Sequence, residues 1–380
     1  MIQYSLYKEQ KLFGRYVTNK HIEPVIEACK KDIEVEVEGV SVEKKSIYSL
    51  KIGTGKKKVL AWSQMHGNES TTTKAVFDFL NFLKSEDELA SKLRSECVFC
   101  VIPILNPDGA DSYTRFNANE VDLNRDAQQL SQPESKVLRS IYDSFKPDYC
   151  FNLHGQRTIF SAGYSSNSSV MSFLSPAEDE QRAVTKTRKI AMQIITAIEK
   201  GLNSYIPDQV ARYDDGYNVN CVGDTFQGLQ TPTVLFEAGH YPDDYKREKT
   251  REMVFYALLH AVNELAFNEI EGSVYQGYFK LPENQKLFYD VVIRNVIGKF
   301  NELMDVAIQY EEKLIEEEVH FLPKVVKAGD LTEFFGHKEI DGGGYPILIN
   351  NSSKITESLS IISQISINGE NFVKNIEVTS

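Results

Sequence analysis

Val59-Leu-Ala-Trp-Ser-Gln-Met-His-Gly-Asn-Glu-Ser-Thr-Thr-Thr-Lys-Ala-Val-Phe-Asp-Phe-Leu-Asn-Phe-Leu83 carries two periodicities and the change between them. Val59 to Ser63 is a short apolar run, the pattern of a buried strand. From Thr71 onward, Val76, Phe79, Leu80 and Leu83 follow the i, i+3, i+4, i+7 spacing of one buried helix face. At the turn between them stands His66-Gly-Asn-Glu69, an imidazole and a carboxylate three positions apart, placed so that both can face one metal ion.

The alternation continues outward. Ile33-Glu-Val-Glu-Val-Glu38 and Ser46 to Ile52 alternate with period two, as half-buried strands do. Val98 to Ile104, Asp148 to His154 and Thr233 to Glu237 read as further strands. Pro133 to Phe145, opened by Ser131 and a proline in its first turn, reads as a helix, as do Ala177 to Glu199 and Tyr245 to Phe267. Strands alternating with helices imply an α/β fold with a mixed, mostly parallel sheet and helices on both faces. In such sheets, sites form beyond the carboxyl ends of the strands. His66, His154 and Glu237 stand at or just after three such ends.

After about residue 270 the texture changes. Residues 284–304 are a helix candidate. Val306 to Glu311, Val319 to Pro323, Tyr345 to Ile349 and the stretch from Leu359 to Val378 read as short strands among Gly, Asn and Ser. The expected organisation is a catalytic domain over 1–270 and a small β-rich C-terminal module over 271–380.

Composition sets the boundaries of function. The 380 residues are 42% hydrophobic and 25% charged, with only 12 Pro and 22 Gly, which excludes disorder over most of the length. A net charge of −12 argues against nucleic acid as the main partner. No run approaches the ~18 apolar residues of a membrane span, and Met1 to Glu9 lacks the basic-then-apolar pattern of a signal peptide. The five cysteines, an odd number, fit reduced thiols, and the expected location is cytoplasmic. Cys97-Val-Phe-Cys100 sits in an apolar run that reads as a buried strand, not a redox motif.

His66, Glu69 and His154 together offer two imidazoles and one carboxylate, a donor set that suits a catalytic zinc site with a position left for water. The ordinary alternative for the histidines is a hydrogen-bonded structural pair. Asn106-Pro-Asp-Gly109 is turn chemistry in its own right. Yet Arg115 and Val121-Asp-Leu-Asn-Arg125 follow it, and arginines in such a loop suit a carboxylate or carbonyl clamp. Arg115 alone could be a surface ion-pair residue, and Asp122 alone a turn cap.

Taken in order, His66-Gly-Asn-Glu69, Asn106-Pro-Asp-Gly109, Arg115, Val121-Asp-Leu-Asn-Arg125, Asn152-Leu-His154 and Phe236-Glu237 resemble the zinc metallocarboxypeptidases over about residues 40–265. Ser41-Val-Glu-Lys-Lys-Ser-Ile-Tyr48 is similar to an early strand signature of that family, with lysines where Gly-Arg is usual. The resemblance implies one zinc ion held by His66, Glu69 and His154. It implies that Glu237 is the base that takes a proton from the attacking, zinc-activated water and later delivers one to the leaving amine. Arg115 would stabilise the oxyanion, Asn124 and Arg125 would hold a terminal carboxylate, and Asp122 would orient His66. A tyrosine some twenty residues before the base is expected to close over the substrate. Tyr217 fits that spacing, with Tyr213 as competitor.

The implied substrate is a peptide, or a small amide, with a free carboxylate, cleaved at its C-terminal amide bond. Three departures bear on that choice: Asn68 where an arginine is frequent, the short loop between Arg115 and Asn124, and Ala-Gly-His240 after Glu237. They leave open an N-acyl amino acid amidohydrolase of the aspartoacylase and succinylglutamate desuccinylase type, which shares the ligands and an added C-terminal β module. A non-catalytic binder of peptide C-termini is a third reading, opposed by the complete set of ligands and base. The side-chain-sorting position of the family falls near Gly223, beside Asp224. His240 reads as a residue supporting the site or contacting substrate. His21, His260, His320 and His337 have no partner pattern, and Glu311 to Glu318 reads as a solvated charge run.

Overall fold

The computed structural model describes residues 2–353, 355, 361–372 and 378, which divide into two compact units: residues up to Gln156 with Ser169–Asn284, and Arg157–Ser168 with the chain from Gln285 onward. The first unit contains α1 (Asn19–Cys29), β1 (Glu34–Val40), β2 (Ser46–Ile52), β3 (Lys57–Ser63), α2 (Ser70–Leu83), α3 (Glu88–Glu96), β4 (Cys97–Ile102), α4 (Pro107–Asp111), α5 (Pro133–Phe145) and β5 (Tyr149–Gly155). After β6 (Ser161–Ala162) of the second unit come β7 (Met171–Leu174), α6 (Lys186–Leu202), β8 (Val210–Arg212), α7 (Val222–Gly228), β9 (Thr233–Ala238) and α8 (Glu248–Phe267).

Eight strands form one sheet in the order β1-β2-β4-β3-β5-β9-β7-β8. Its centre, β4-β3-β5-β9, is parallel, and antiparallel pairings flank it at β1-β2, β2-β4 and β7-β9. Alternate residues sort onto two cores, as the period of two dictates. Val59, Ala61, Phe151, Leu153, Val234 and Phe236 pack with α2, α6 and α8, whereas Leu60, Trp62, Cys100, Ile102 and Cys150 pack with α5 and α7. Helices therefore cover both faces, and β5 is buried on both, apolar but for Asn152 until its end.

The helix after His66-Gly-Asn-Glu69 is buried more completely than its spacing predicts. Thirteen of the fourteen residues of α2 are buried, including Lys74 and Asp78. Asp78 accepts two bonds from the Arg251 guanidinium of α8, at 2.6 and 2.7 Å, and a third from the Tyr4 hydroxyl. Burial of these charges depends on such pairing. The polar face that a sequence reading assigns to water is here a face against α8 and the N-terminal segment.

Three of the departures from expectation have a readable reason. The helix expected from Ala177 begins at Lys186, where Thr185 accepts a hydrogen bond from the Arg188 amide and caps the first turn. At α5, Gln132 occupies the cap position, and Ser131 instead donates to Asp126. The helix candidate at 284–304 is wrong: the chain there holds a strand, β11 (Phe288–Ile297), whose Val291-Val-Ile293 is buried on both faces, the habit of β-branched residues.

In the second unit, β10 (Asn284–Gln285) pairs with β6, and β11 (Phe288–Ile297) lies between β12 (Leu303–Ile315) and β14 (Phe335–Ile349), with β13 (Glu318–Gly329) outside β12. The charge run at 311–318 is the β12–β13 hairpin, turning through Glu316 and Glu317, both at positive φ. The strand texture expected from Leu359 to Val378 falls partly outside the described residues. Within them lie β15 (Ile365–Ile367) and β16 (Glu370–Asn371). Among the described residues, no helix is long and apolar enough to cross a membrane.

Candidate active site

Two glycines join the motifs of the site. A Cβ on Gly67 would sit 1.9 Å from the carbonyl carbon of Gly109, so the backbones of His66-Gly-Asn-Glu69 and Asn106-Pro-Asp-Gly109 touch where neither tolerates a side chain. Asn106 caps α4 by accepting from the Gly109 amide, and its own amide group donates to Met65 O. Asp108 in the same helix accepts from the Ser41 hydroxyl and the Glu43 amide. The loop after β4 is thus fastened to the end of β3 and to the segment before β2.

His66 follows β3, Glu69 precedes the first turn of α2, and His154 is the penultimate residue of β5. One ligand atom from each lies within 4.8 Å of the other two. His66 Nδ1 is 2.8 Å from Glu69 Oε1, and His154 Nδ1 is 3.0 Å from Glu69 Oε2 and 3.2 Å from His66 Nδ1. The Gly155 amide donates to Glu69 Oε2, which fixes that carboxylate against β5.

Asp122 organises the other side of His66. Its Oδ1 is 3.1 Å from His66 Nε2 and also accepts from the Asn124 amide; its Oδ2 accepts two bonds from Arg115, at 2.9 and 3.0 Å. Turn capping and contact with His66 therefore coexist in one residue. Arg115 is 40% exposed and reaches within 3.3 Å of His66 Nδ1 through Nη1.

With Nε2–H given to Asp122, His66 presents the Nδ1 lone pair toward a carboxylate and a second imidazole. Acceptors so placed require a proton or a cation among them. The electrostatics agree. Burial disfavours the charged imidazole of His66, yet Glu69 and Asp122 outweigh it and raise its pKa to about 9, with Arg115 opposing. Burial would raise Glu69, but the two histidines hold it well below the carboxylate range. Burial lowers His154, against the pull of Glu69. Two imidazoles and a carboxylate around a demand for positive charge fit a zinc ion.

Glu237 ends the set. It lies on β9 opposite His154 in the parallel register, and its Oε2 is buried without a hydrogen-bond partner. Burial and the charge of Glu69 push its carboxyl well above the usual range, with His66 and Arg115 pulling the other way. An acid in this environment is suited to exchanging protons.

The remaining residues are placed less tightly. Asn124 is buried and accepts from the Val222 amide through Oδ1, while Arg125 is exposed and donates to Asn124 O. Tyr217 is half-buried in the loop between β8 and α7, which Ala127 and Gln128 tie back to the Asn124 segment at Asn220 O and Val219 O. Tyr213 donates its amide to Phe173 O. His240 is buried with its ring 4.6 Å from that of Tyr245. Gly223 is buried in α7, and burial raises the neighbouring Asp224 to about 6.

Two residues near the centre were given no role by the sequence reading. Asn152, two before His154 and on the same face of β5, is fully buried with both amide atoms unpartnered. Arg247 is buried beside the ends of β5 and β9. The period of β5 could have flagged Asn152, a polar residue in a run otherwise apolar. Nothing could have flagged Arg247, which stands in the charged stretch Asp243-Asp-Tyr-Lys-Arg-Glu-Lys249.

Residues 18–231 match the family described as zinc carboxypeptidase. Carboxypeptidase 2 of Trichophyton tonsurans is 28% identical over 116 residues, 30% of this chain and 20% of that protein. Cytosolic carboxypeptidase-like protein 5 of Danio rerio is 38% identical over 91 residues, 23% of this chain and 10% of that protein. The matched stretches thus span about a fifth or less of these curated relatives. Among solved structures, a metallo-carboxypeptidase from Burkholderia cenocepacia shares the fold with a TM-score of 0.53 at 20% identity, over 66% of this chain and 69% of that one. A metallo-carboxypeptidase from Pseudomonas aeruginosa, solved with (2-guanidinoethylmercapto)succinic acid, aligns at 0.53 and 16% identity over 66% of this chain and 69% of that one.

Proposed function

The chain belongs to the zinc carboxypeptidase family, and from that membership we propose that it is a zinc-dependent metallocarboxypeptidase that hydrolyses the C-terminal amide bond of a peptide or modified peptide. The observation that carries the reading is the convergence of His66, Glu69 and His154 with Glu237 directly across from His154. His66, Glu69 and His154 would hold the ion. When bound, zinc supplies Lewis-acid chemistry, polarising a carbonyl and lowering the pKa of water toward about 7.

The other roles belong to the chain's own groups. Glu237 would accept a proton from the attacking water on its unpartnered Oε2 and return one to the leaving amine. Arg115, held by Asp122 and extended toward the ligands, would donate to the developing oxyanion. Asn124 has its Oδ1 occupied by Val222, which leaves its amide N–H groups, together with the exposed Arg125 guanidinium, to bind the terminal carboxylate. Asp122 would fix the orientation of His66. Tyr217 would close over the bound residue from the loop tied to Asn124.

The test is hydrolysis of a peptide panel and an N-acyl amino acid panel by the purified chain, before and after chelation and zinc return. Release of free C-terminal amino acids that is lost on chelation and restored by zinc is expected. Turnover confined to the N-acyl panel would replace the reading with the amidohydrolase one.

A further inference from the structure

We propose that Arg247 is a positioning residue that locks His154 and Glu237 in register by clamping the ends of the two strands that carry them. This rests on the function proposed above and adds a device to the same site. The β5–β9 ladder ends at the pair Gly155 and Ala238, one residue beyond His154 and Glu237. There the Gln156 amide donates to Ala238 O at 2.9 Å, the last backbone rung. Arg247 continues the ladder with a side chain: Nη1 donates to Ala238 O at 2.9 Å and Nη2 to Gln156 O at 3.1 Å. A guanidinium is a planar fork with fixed spacing between its prongs, so two carbonyls on adjacent strands bound by one fork are held at one separation.

The fork is itself held. Arg247 is buried and caps α8 at φ 59°, a left-handed conformation uncommon for a residue with a side chain. Its amide donates to Asp244 O, its carbonyl accepts from the Arg251 amide, and Asp244 accepts from the amides of Glu248 and Thr250. The next residue, Glu248, pairs with Lys74 of α2, the helix that Glu69 precedes. The N-terminal end of α8 therefore reaches three of the elements that place the ligands and base: α2 through Glu248, and β5 and β9 through Arg247. The Gly239 amide, donating to Val170 O, holds β9 on its opposite edge.

Arg247→Met removes the fork at nearly constant volume, and Arg247→Lys keeps the charge while losing one prong. Leu265→Ala, buried in the same helix about 27 Å along its axis, serves as a matched destabilised control. Three readouts are taken on the full chain: amide exchange at Gln156, Co2+ affinity with the visible spectrum of the bound ion, and the split between kcat and KM on a peptide. Arg247→Met is expected to speed exchange at Gln156 about tenfold, to weaken Co2+ binding about tenfold with an altered spectrum, and to lower kcat about 10–100-fold with KM within about twofold. Arg247→Lys should show the same pattern at smaller amplitude, and stands in if the Met variant does not fold. Leu265→Ala should lower the unfolding midpoint and leave the three readouts unchanged. Wild-type exchange and Co2+ binding in both Arg247 variants, or equal changes in Leu265→Ala, would overturn the proposal. If the parent chain cleaves no peptide, the proposed function falls, while the exchange and Co2+ readouts still decide the role of Arg247.

Discussion

His154 and Glu237 face each other across neighbouring parallel strands, β5 and β9, with no loop between either side chain and the sheet. Strand neighbours lie about 4.8 Å apart. A candidate ligand and a candidate base are thus set by the central strands of the sheet, whereas His66 and Glu69 come from the turn after β3 and rely on glycine contact and hydrogen bonds for their place. Site residues on strands need less support than those on loops.

Replacing Glu237 by Gln keeps the shape and removes the proton acceptor. Turnover of a peptide substrate should fall by about 10²–10⁴-fold, while zinc bound per chain stays at the wild-type level. Metal analysis beside steady-state kinetics makes the check. A fully active Gln variant would remove Glu237 from the chemistry.

Asp122 touches both His66 and Arg115, so Asp122→Ala should weaken zinc by about 10–100-fold, read in competition with a chromogenic chelator. Arg115→Met should lower kcat and leave zinc affinity nearly unchanged. Equal zinc affinity in Asp122→Ala and the parent would mean that His66 is oriented by its other contacts.

Gly67→Ala should destabilise the fold by about 3 kcal/mol, because its Cβ would overlap the Gly109 backbone and no flexible side chain can move aside. Gly228→Ala, whose Cβ would find its nearest atom at 3.7 Å, should stay within about 0.5 kcal/mol of the parent. Urea unfolding of both variants measures the difference. Matched midpoints would show that the two loops can separate without loss.

The helices around the sheet were legible from their spacing, and the central strands Val59 to Ser63 and Thr233 to Glu237 as short apolar runs leading into polar residues. The donor set was legible because His66-Gly-Asn-Glu69 and Asn152-Leu-His154 are local motifs at strand ends. What the sequence hid is long-range pairing. Asp78 looks like a solvent residue on α2 until Arg251, far along the chain, arrives to neutralise it. The strand at Phe288–Ile297 was mistaken for a helix because a run apolar on both faces has no period of its own. Arg247 is one charge among many until the ends of β5 and β9 are brought to it.

The same long-range pairing sets an acid limit on stability. Burial would raise the Glu248 carboxyl, but Lys74 at 2.5 Å, Lys8 at 2.9 Å and Arg251 at 3.1 Å bring its pKa down to about 2 from the ordinary value of 4.5. Because the folded value lies below the unfolded one, the unfolded chain binds the proton first as pH falls. The contribution is therefore complete above about pH 4.5 and is lost progressively toward pH 2, and it amounts to roughly 3 kcal/mol. Glu69 and Asp122 are also held low, so the parent curve alone cannot isolate Glu248. The difference between the parent and Glu248→Gln does. The unfolding midpoint of the Gln variant should lie below the parent at pH 7, and the gap should narrow as pH falls from about 4.5 toward 2. A gap that is constant across that range would show that Glu248 titrates alike in both states and that Lys74 is balanced by another group.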